Sequence, residues 1–232
     1  MGLEFEQRGS DSPYVERIWR SRSAGLDRMT SVATAHWTMV FWVEAGEFHA
    51  AVQGPETRAA SAPVPEDATF LGVRFALGTT MPWLPIGQLV DGFAELPDAS
   101  RRSFRLNGSS WSVPDFDNVE SFVRRFARTG GLVRDGVVRE VLAGGAPDLS
   151  VRSVRRHFLG ATGLTPGAIR QIERARRAAV LIQAGVPIAD VTSDVGYFDH
   201  AHLARSLRRF IGQSATELRG EAPEQLSLLY KP

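Results

Sequence analysis

The sequence predicts an α+β fold, with a mostly-β N-terminal domain, a sandwich or a cupin-like barrel, followed by an all-α C-terminal domain. Three observations carry this. Prolines at 55, 63, 65, 82, 85, 97 and 114 interrupt any long helix in the first half. From about Asn118 onward, apolar residues recur at helical spacing instead. Charge changes at the same place. Residues 1–120 carry 10 basic and 16 acidic side chains, residues 121–232 carry 17 and 10, so a net charge of +1 conceals −6 in one half and +7 in the other. That asymmetry is expected when only one part of a chain meets a polyanion.

Taken in order, residues 1–116 read as short strands and turns. Thr38-Met39-Val40-Phe41-Trp42-Val43 and Thr69-Phe70-Leu71-Gly72-Val73-Arg74-Phe75 are rich in β-branched and aromatic residues, bounded by Gly, Pro and Asp clusters. In 117–131, Val119, Phe122, Val123 and Phe126 line one side of a helix, expected as a linker between the domains. Residues 132–220 form a string of short helices with clear ends. Leu132–Ala143 is the first. Ser150 caps Val151–Phe158, which stops at Gly160 or Gly163. Pro166 opens a long helix reaching about Ala184, where Gly185 ends it. Pro187 opens Ile188–Val195, closed by Gly196; Asp199 caps His200–Ile211, closed by Gly212; Ser214–Arg219 adds a last turn. Residues 221–232 read as a tail.

Composition excludes several chemistries. With no cysteine there are no disulfides, no thiolate catalysis and no Cys-based zinc site. The sequence has no run of eighteen apolar residues and no basic-then-apolar leader, so a cytoplasmic protein with no membrane partner is expected. A nucleophile elbow, a P-loop and a dinucleotide fingerprint are all lacking. His36, His49, Glu44 and Glu47 are the available N-terminal metal ligands, without the His-x-His pair that a cupin-like centre needs. The expectation is therefore no enzyme, no cofactor and no metal.

A helix-turn-helix needs a short helix, a tight turn with Gly, and a second helix whose outer face can enter a major groove. Residues 188–211 supply these. Ile188, Val191 and Val195 form the inner stripe of the first helix, Gly196 permits the turn, and Leu203, Leu207 and Phe210 line the second. A second unit is expected upstream, with Val137, Val141 and Leu142 inside its first helix and Val151, Val154 and Phe158 inside its second. The C-terminal domain is thus predicted to hold two helix-turn-helix units, with the long helix as spacer between them. All basic residues but Lys231 are Arg, which suits bidentate contacts to guanine or phosphate, although a GC-rich genome produces the same bias.

The stretch Val151–Leu218 resembles the DNA-binding domain of the AraC/XylS family of bacterial transcription regulators. The resemblance rests on Val151-Arg152-Ser153-Val154-Arg155-Arg156-His157-Phe158, Thr162-Gly163-Leu164-Thr165-Pro166, Arg174 with Ala178 and Leu181, Ile188, Val191, Gly196-Tyr197-Phe198-Asp199, Leu203, and Arg208-Arg209-Phe210-Ile211-Gly212. It implies double-stranded DNA as partner. The base-reading candidates it points to are Arg152, Arg155 and Arg156 in the first recognition helix and His200, Ala201, His202 and Arg205 in the second. Ser150, Arg208 and Arg209 are the phosphate candidates. Three positions depart from the pattern: Thr192 replaces a usual Ala, Ala215 replaces a usual Pro, and Gly144-Gly145-Ala146-Pro147 makes the first unit's turn short of helix. The resemblance also implies an N-terminal domain that binds a small-molecule effector or forms a homodimer, and RNA polymerase as a partner if the protein activates. Trp37, Phe41, Trp42, Phe75 and Trp83, with Phe70, are the candidates to line an effector pocket; filling a core is the plainer use of strand aromatics. The alternative function is a small-molecule-binding or protein-interaction module with little specific DNA binding.

Overall fold

The computed structural model of the protein describes residues 4–23 and 28–220; the expected tail lies outside them. Strands β1 (Glu4–Arg8), β2 (Val15–Arg22), β3 (Arg28–Ser31), β4 (Thr38–Glu44), β5 (Glu47–Gln53) and β6 (Ala60–Pro63) come first. They are followed by β7 (Thr69–Phe75), β8 (Thr79–Thr80), β9 (Phe93–Glu95), β10 (Ser103–Leu106) and β11 (Ser109–Ser112). Helix α1 (Val119–Arg128) and strand β12 (Val133–Arg134) lead to α2 (Gly136–Leu142), α3 (Val151–Thr162), α4 (Pro166–Gln183), α5 (Ile188–Asp194), α6 (His200–Phe210) and α7 (Ala215–Arg219). The chain is α+β, with the β structure first.

The main sheet is antiparallel in the order β1-β2-β7-β4-β5-β9 and stays open, with β1 and β9 as its edges. Register places Ile18, Val73, Met39 and Val52 across four neighbouring strands on one face. That face is covered by the β10–β11 hairpin and α1, whose Phe104, Leu106, Trp111, Phe122 and Phe126 complete the first core. Trp111 meets Phe122 and Phe126 edge-on, with ring centroids 5.7 and 5.3 Å apart. Both hairpin turns have two residues at positive φ, Ala45-Gly46 and Asn107-Gly108, which matches the right-handed twist of the flanking strands.

Two expectations change here. The helix predicted as a linker packs all four apolar residues, Val119, Phe122, Val123 and Phe126, into the first core, and Arg8 forms an ion pair with Glu120 that fastens it to β1. Helical spacing reveals an apolar stripe but not which core receives it. The predicted Leu132–Ala143 helix begins only at Gly136. Leu132 is buried in the first core, Val133 and Arg134 pair with β8, and the Asp135 side chain caps α2 by accepting from Val138 N–H at 3.0 Å.

The second core joins α3 to α7 and also takes in Val32, Ala33 and Ala35 from the N-terminal half. The two halves are therefore packed on each other. Ala33 N–H and Ala59 N–H donate to the carbonyls of Phe210 and Arg209, each at 2.8 Å, and so satisfy acceptors that the last turn of α6 leaves open. At the end of α3, Gly163 sits at φ +71° against the 3-10 turn Ile86–Leu89. A Cβ there would lie 2.7 Å from the Cα of Gly87, so only glycine fits both the left-handed cap and the close approach.

Candidate nucleic-acid interface

Helices α5 and α6, with Gly196 between them at φ +74°, form a helix-turn-helix. Leu203, Leu207 and Phe210 are buried, as is Val191 of α5, while Ile188 and Val195 are partly buried against them. The turn is held from three sides. Tyr197 is buried, and its hydroxyl lies 3.1 Å from Ser206 Oγ. The Arg174 guanidinium of α4 stacks on the Tyr197 ring at 4.5 Å and donates to the Gly196 carbonyl at 3.2 Å. Asp199 caps α6 by accepting from His202 N–H at 2.6 Å. Thr192, the polar departure in this core, is buried with its hydroxyl donating to Ile188 O at 2.7 Å, so that hydroxyl is not stranded.

The α2–α3 pair is looser. Val138 is the buried residue of α2, Val137 and Val141 are partly buried, and Leu142, expected inside, is exposed because α2 ends there. On α3, Phe158 is buried and Val154 packs at the edge of the core, but Val151, also expected inside, is 86% exposed. It is the first residue of the helix and precedes the first turn that touches the core. Asp135 joins the two helices, its carboxylate 2.7 Å from His157 Nδ1. Burial pushes the Asp135 pKa up, but the bonds from His157 and Val138 outweigh it and leave the carboxyl below its ordinary range.

Arg152, Arg155 and Arg156 on α3, and His200, Ala201 and Arg205 on α6, are exposed. His202 is half-buried, its ring edge-on to Tyr197 at 5.1 Å. Among the described residues, Arg152, Arg155, Arg156, His200 and Arg205 make no side-chain hydrogen bond or ion pair. Three other cations of this half have partners. Arg208 pairs with Glu217 at 2.8 Å, Arg174 holds the turn, and Arg176 donates to Ala33 O at 2.9 Å. Arg209 is exposed with its guanidinium over Phe210, and the Ser150 hydroxyl caps α3 at Ser153 N–H. The residues that sequence reasoning placed only as family matches, Arg174 and Tyr197, turn out to be the supports of the turn.

The aromatic pocket candidates divide. Phe41 and Trp42 line an open cleft of about 640 Å³ at one end of the main sheet, together with Phe48, Phe70, Phe116, Arg20 and Arg22. Trp37 and Phe75 do not: they are buried and stacked 3.8 Å apart, and Trp37 Nε1 donates to Thr79 O. Trp83 packs against the first core away from the cleft. Among the described residues no group of three or more His, Asp or Glu is placed to hold a metal ion. His49 stacks on Trp42, and His36 bonds the Phe75 carbonyl. No helix among them is long and apolar enough to cross a membrane.

Residues 146–221 match the family model described as a helix-turn-helix domain. The matched segment contains α3 to α7, and this part of the chain is a helix-turn-helix domain of the AraC type. Searches of curated proteins and of solved structures return no match.

Proposed function

We propose that the chain is a sequence-specific transcription regulator of duplex DNA, that α3 and α6 enter successive major grooves, and that the N-terminal half modulates this binding. One observation carries the reading: Arg152, Arg155 and Arg156 of α3 and His200 and Arg205 of α6 are exposed without an intramolecular side-chain hydrogen bond or ion pair among the described residues, while Arg174, Arg176 and Arg208 nearby are committed to internal contacts. Arg152, Arg155, Arg156 and Arg205, with His200, Ala201 and His202, read bases; Ser150, Arg208 and Arg209 meet phosphates. The N-terminal half supports the back ends of both helices at Gly163 and Phe210, so a ligand or a second subunit that shifts it reaches both heads.

The first experiment is fluorescence anisotropy of the full chain with duplex DNA from upstream of its own gene, with scrambled duplex as competitor, across a salt series. Preferential binding that weakens with salt, by a slope of about −0.9 per phosphate contact, is expected. Equal, weak affinity for both duplexes would overturn sequence-specific reading. The open cleft favours a second reading, a small-molecule-binding module; calorimetric uptake of aromatic compounds with no DNA preference would select it.

A further inference from the structure

The reading heads carry two side chains that an electrostatic description of DNA binding leaves unused. Phe198 is 93% exposed and Val151 is 86% exposed, the two highest values among the large apolar residues described. Each flanks the N-cap of its helix, on opposite sides of the cap. Val151 is the first residue of α3, directly after its cap Ser150, and Phe198 directly precedes Asp199, the cap of α6. Scattered single apolar residues on a surface need no explanation. Recurrence at the leading end of both outward-facing helices does.

Local packing does not account for Phe198. An apolar residue just before an N-cap ordinarily folds back onto the fourth helical residue. In α6 that residue is Leu203, which is already 1% exposed, and Tyr197 fills the adjoining space at 6%. Phe198 is the second aromatic of the pair and projects outward beside His200, as Val151 does beside Arg152. A duplex offers such residues a fitting surface. Between the phosphates that attract the arginines lie apolar patches, the thymine C5-methyl in the major groove and the carbon face of deoxyribose along its wall.

We propose that Phe198, and to a smaller extent Val151, packs on such an apolar patch of the DNA and contributes affinity that does not depend on salt. The proposal rests on the DNA-binding reading above. Its test begins by selecting duplexes from a random pool with the full-length protein. Enrichment of no sequence would sink that reading and this proposal together, before any variant is made. With a selected site in hand, Phe198→Ala is expected to weaken binding about ten-fold or more and Val151→Ser roughly three-fold, with unchanged salt slopes and unchanged thermal melting. Replacing single thymines by deoxyuridine separates the two patches. A loss for wild type that Phe198→Ala does not share identifies the methyl group. A variant loss equal on selected and scrambled duplexes, with no uracil effect, identifies the sugar. Wild-type affinity in both variants would overturn the proposal. So would dissociation of a dimer by Phe198→Ala with DNA affinity intact, which would place a second copy of the chain on this residue.

Discussion

At the scale of single residues, cations of similar sequence context have different tasks. Arg155 and Arg205 are exposed and unpaired among the described residues, whereas Arg208 is tied to Glu217. Arg155→Ala and Arg205→Ala are each expected to cost about 1–3 kcal/mol on the preferred site and much less on scrambled DNA, measured by competition anisotropy. Arg209→Ala is expected to weaken both duplexes alike and to lower the salt slope by about one. Glu56 carries a different signal. Its carboxylate accepts from Ser31 at 2.8 Å, and its backbone pairs with Thr34 in the segment that reaches α6. Burial pushes its pKa up to about 7, with Asp91 adding to the shift and Ser31, Arg176 and Arg74 opposing it. Between its ordinary value near 4.5 and about 7, the folded state holds a proton that the unfolded state has released, so stability falls as pH rises through that window. The loss reaches up to about 3 kcal/mol, and Glu56→Gln is expected to flatten it in denaturant titrations from pH 5 to pH 8. His36 acts oppositely: burial holds its pKa below the ordinary value, so its effect appears as pH falls below about 6.5. Comparing wild type with the Gln variant separates the two.

Elements inherit their precision from their ends. Asp199 starts α6, and Asp199→Ala is expected to lower stability by about 1 kcal/mol, read from thermal melting, and to loosen the leading turn that carries His200 and Ala201. The sequence made this cap legible, because Asp before an apolar-periodic run has a mechanism. The supports of the turn were less legible, since stacking of Arg174 on Tyr197 joins a residue of α4 to one in the α5–α6 turn that no local pattern connects. Val151 illustrates the same limit in reverse. Its spacing with Val154 and Phe158 fits an apolar stripe, but α3 meets the core only from its middle onward, and periodicity does not say where contact begins. Ala45 offers a test among the strands. It sits at φ +49° in the β4–β5 turn, where a side chain is disfavoured, so Ala45→Asn or Ala45→Gly is expected to raise the unfolding free energy by about 1 kcal/mol in urea titration.

For the whole molecule, the question is whether the two halves communicate. The N-terminal half gives Ala33 and Ala59 N–H groups to the end of α6 and meets the end of α3 through Gly87. Charged groups gather behind this seam. Arg74, 3% exposed, lies 3.5 Å from Glu16, and Glu173 and Arg176 of α4 act on it; burial, foremost, and then Arg176 lower its pKa to about 10, which leaves it cationic at neutral pH. Gly87→Val is expected to wedge the seam open at α3, because even a Cβ there lies 3.3 Å from the Cα of Gly163. Faster amide exchange at Ala33 and Ala59 would show that loosening at α3 spreads to α6. Exchange confined to residues near Gly87 would show that α3 and α6 are supported independently.

What could be read along the chain was whatever has a local cause. The change from β to α, the caps Ser150, Thr165 and Asp199, and the stripe Leu203, Leu207 and Phe210 all follow from propensity, capping and periodicity over a few residues. The tertiary structure decided everything that depends on a partner distant in sequence. It chose the first core for α1, made β12 out of residues expected to be helical, and drew Trp37 and Phe75 into a stacked pair while leaving Phe41 and Trp42 on the cleft. It also set the N-terminal half against the back of both helices. The physical reason is that hydrophobic burial is non-directional: a sequence shows which side chains must leave water, and only the assembled chain determines what they meet.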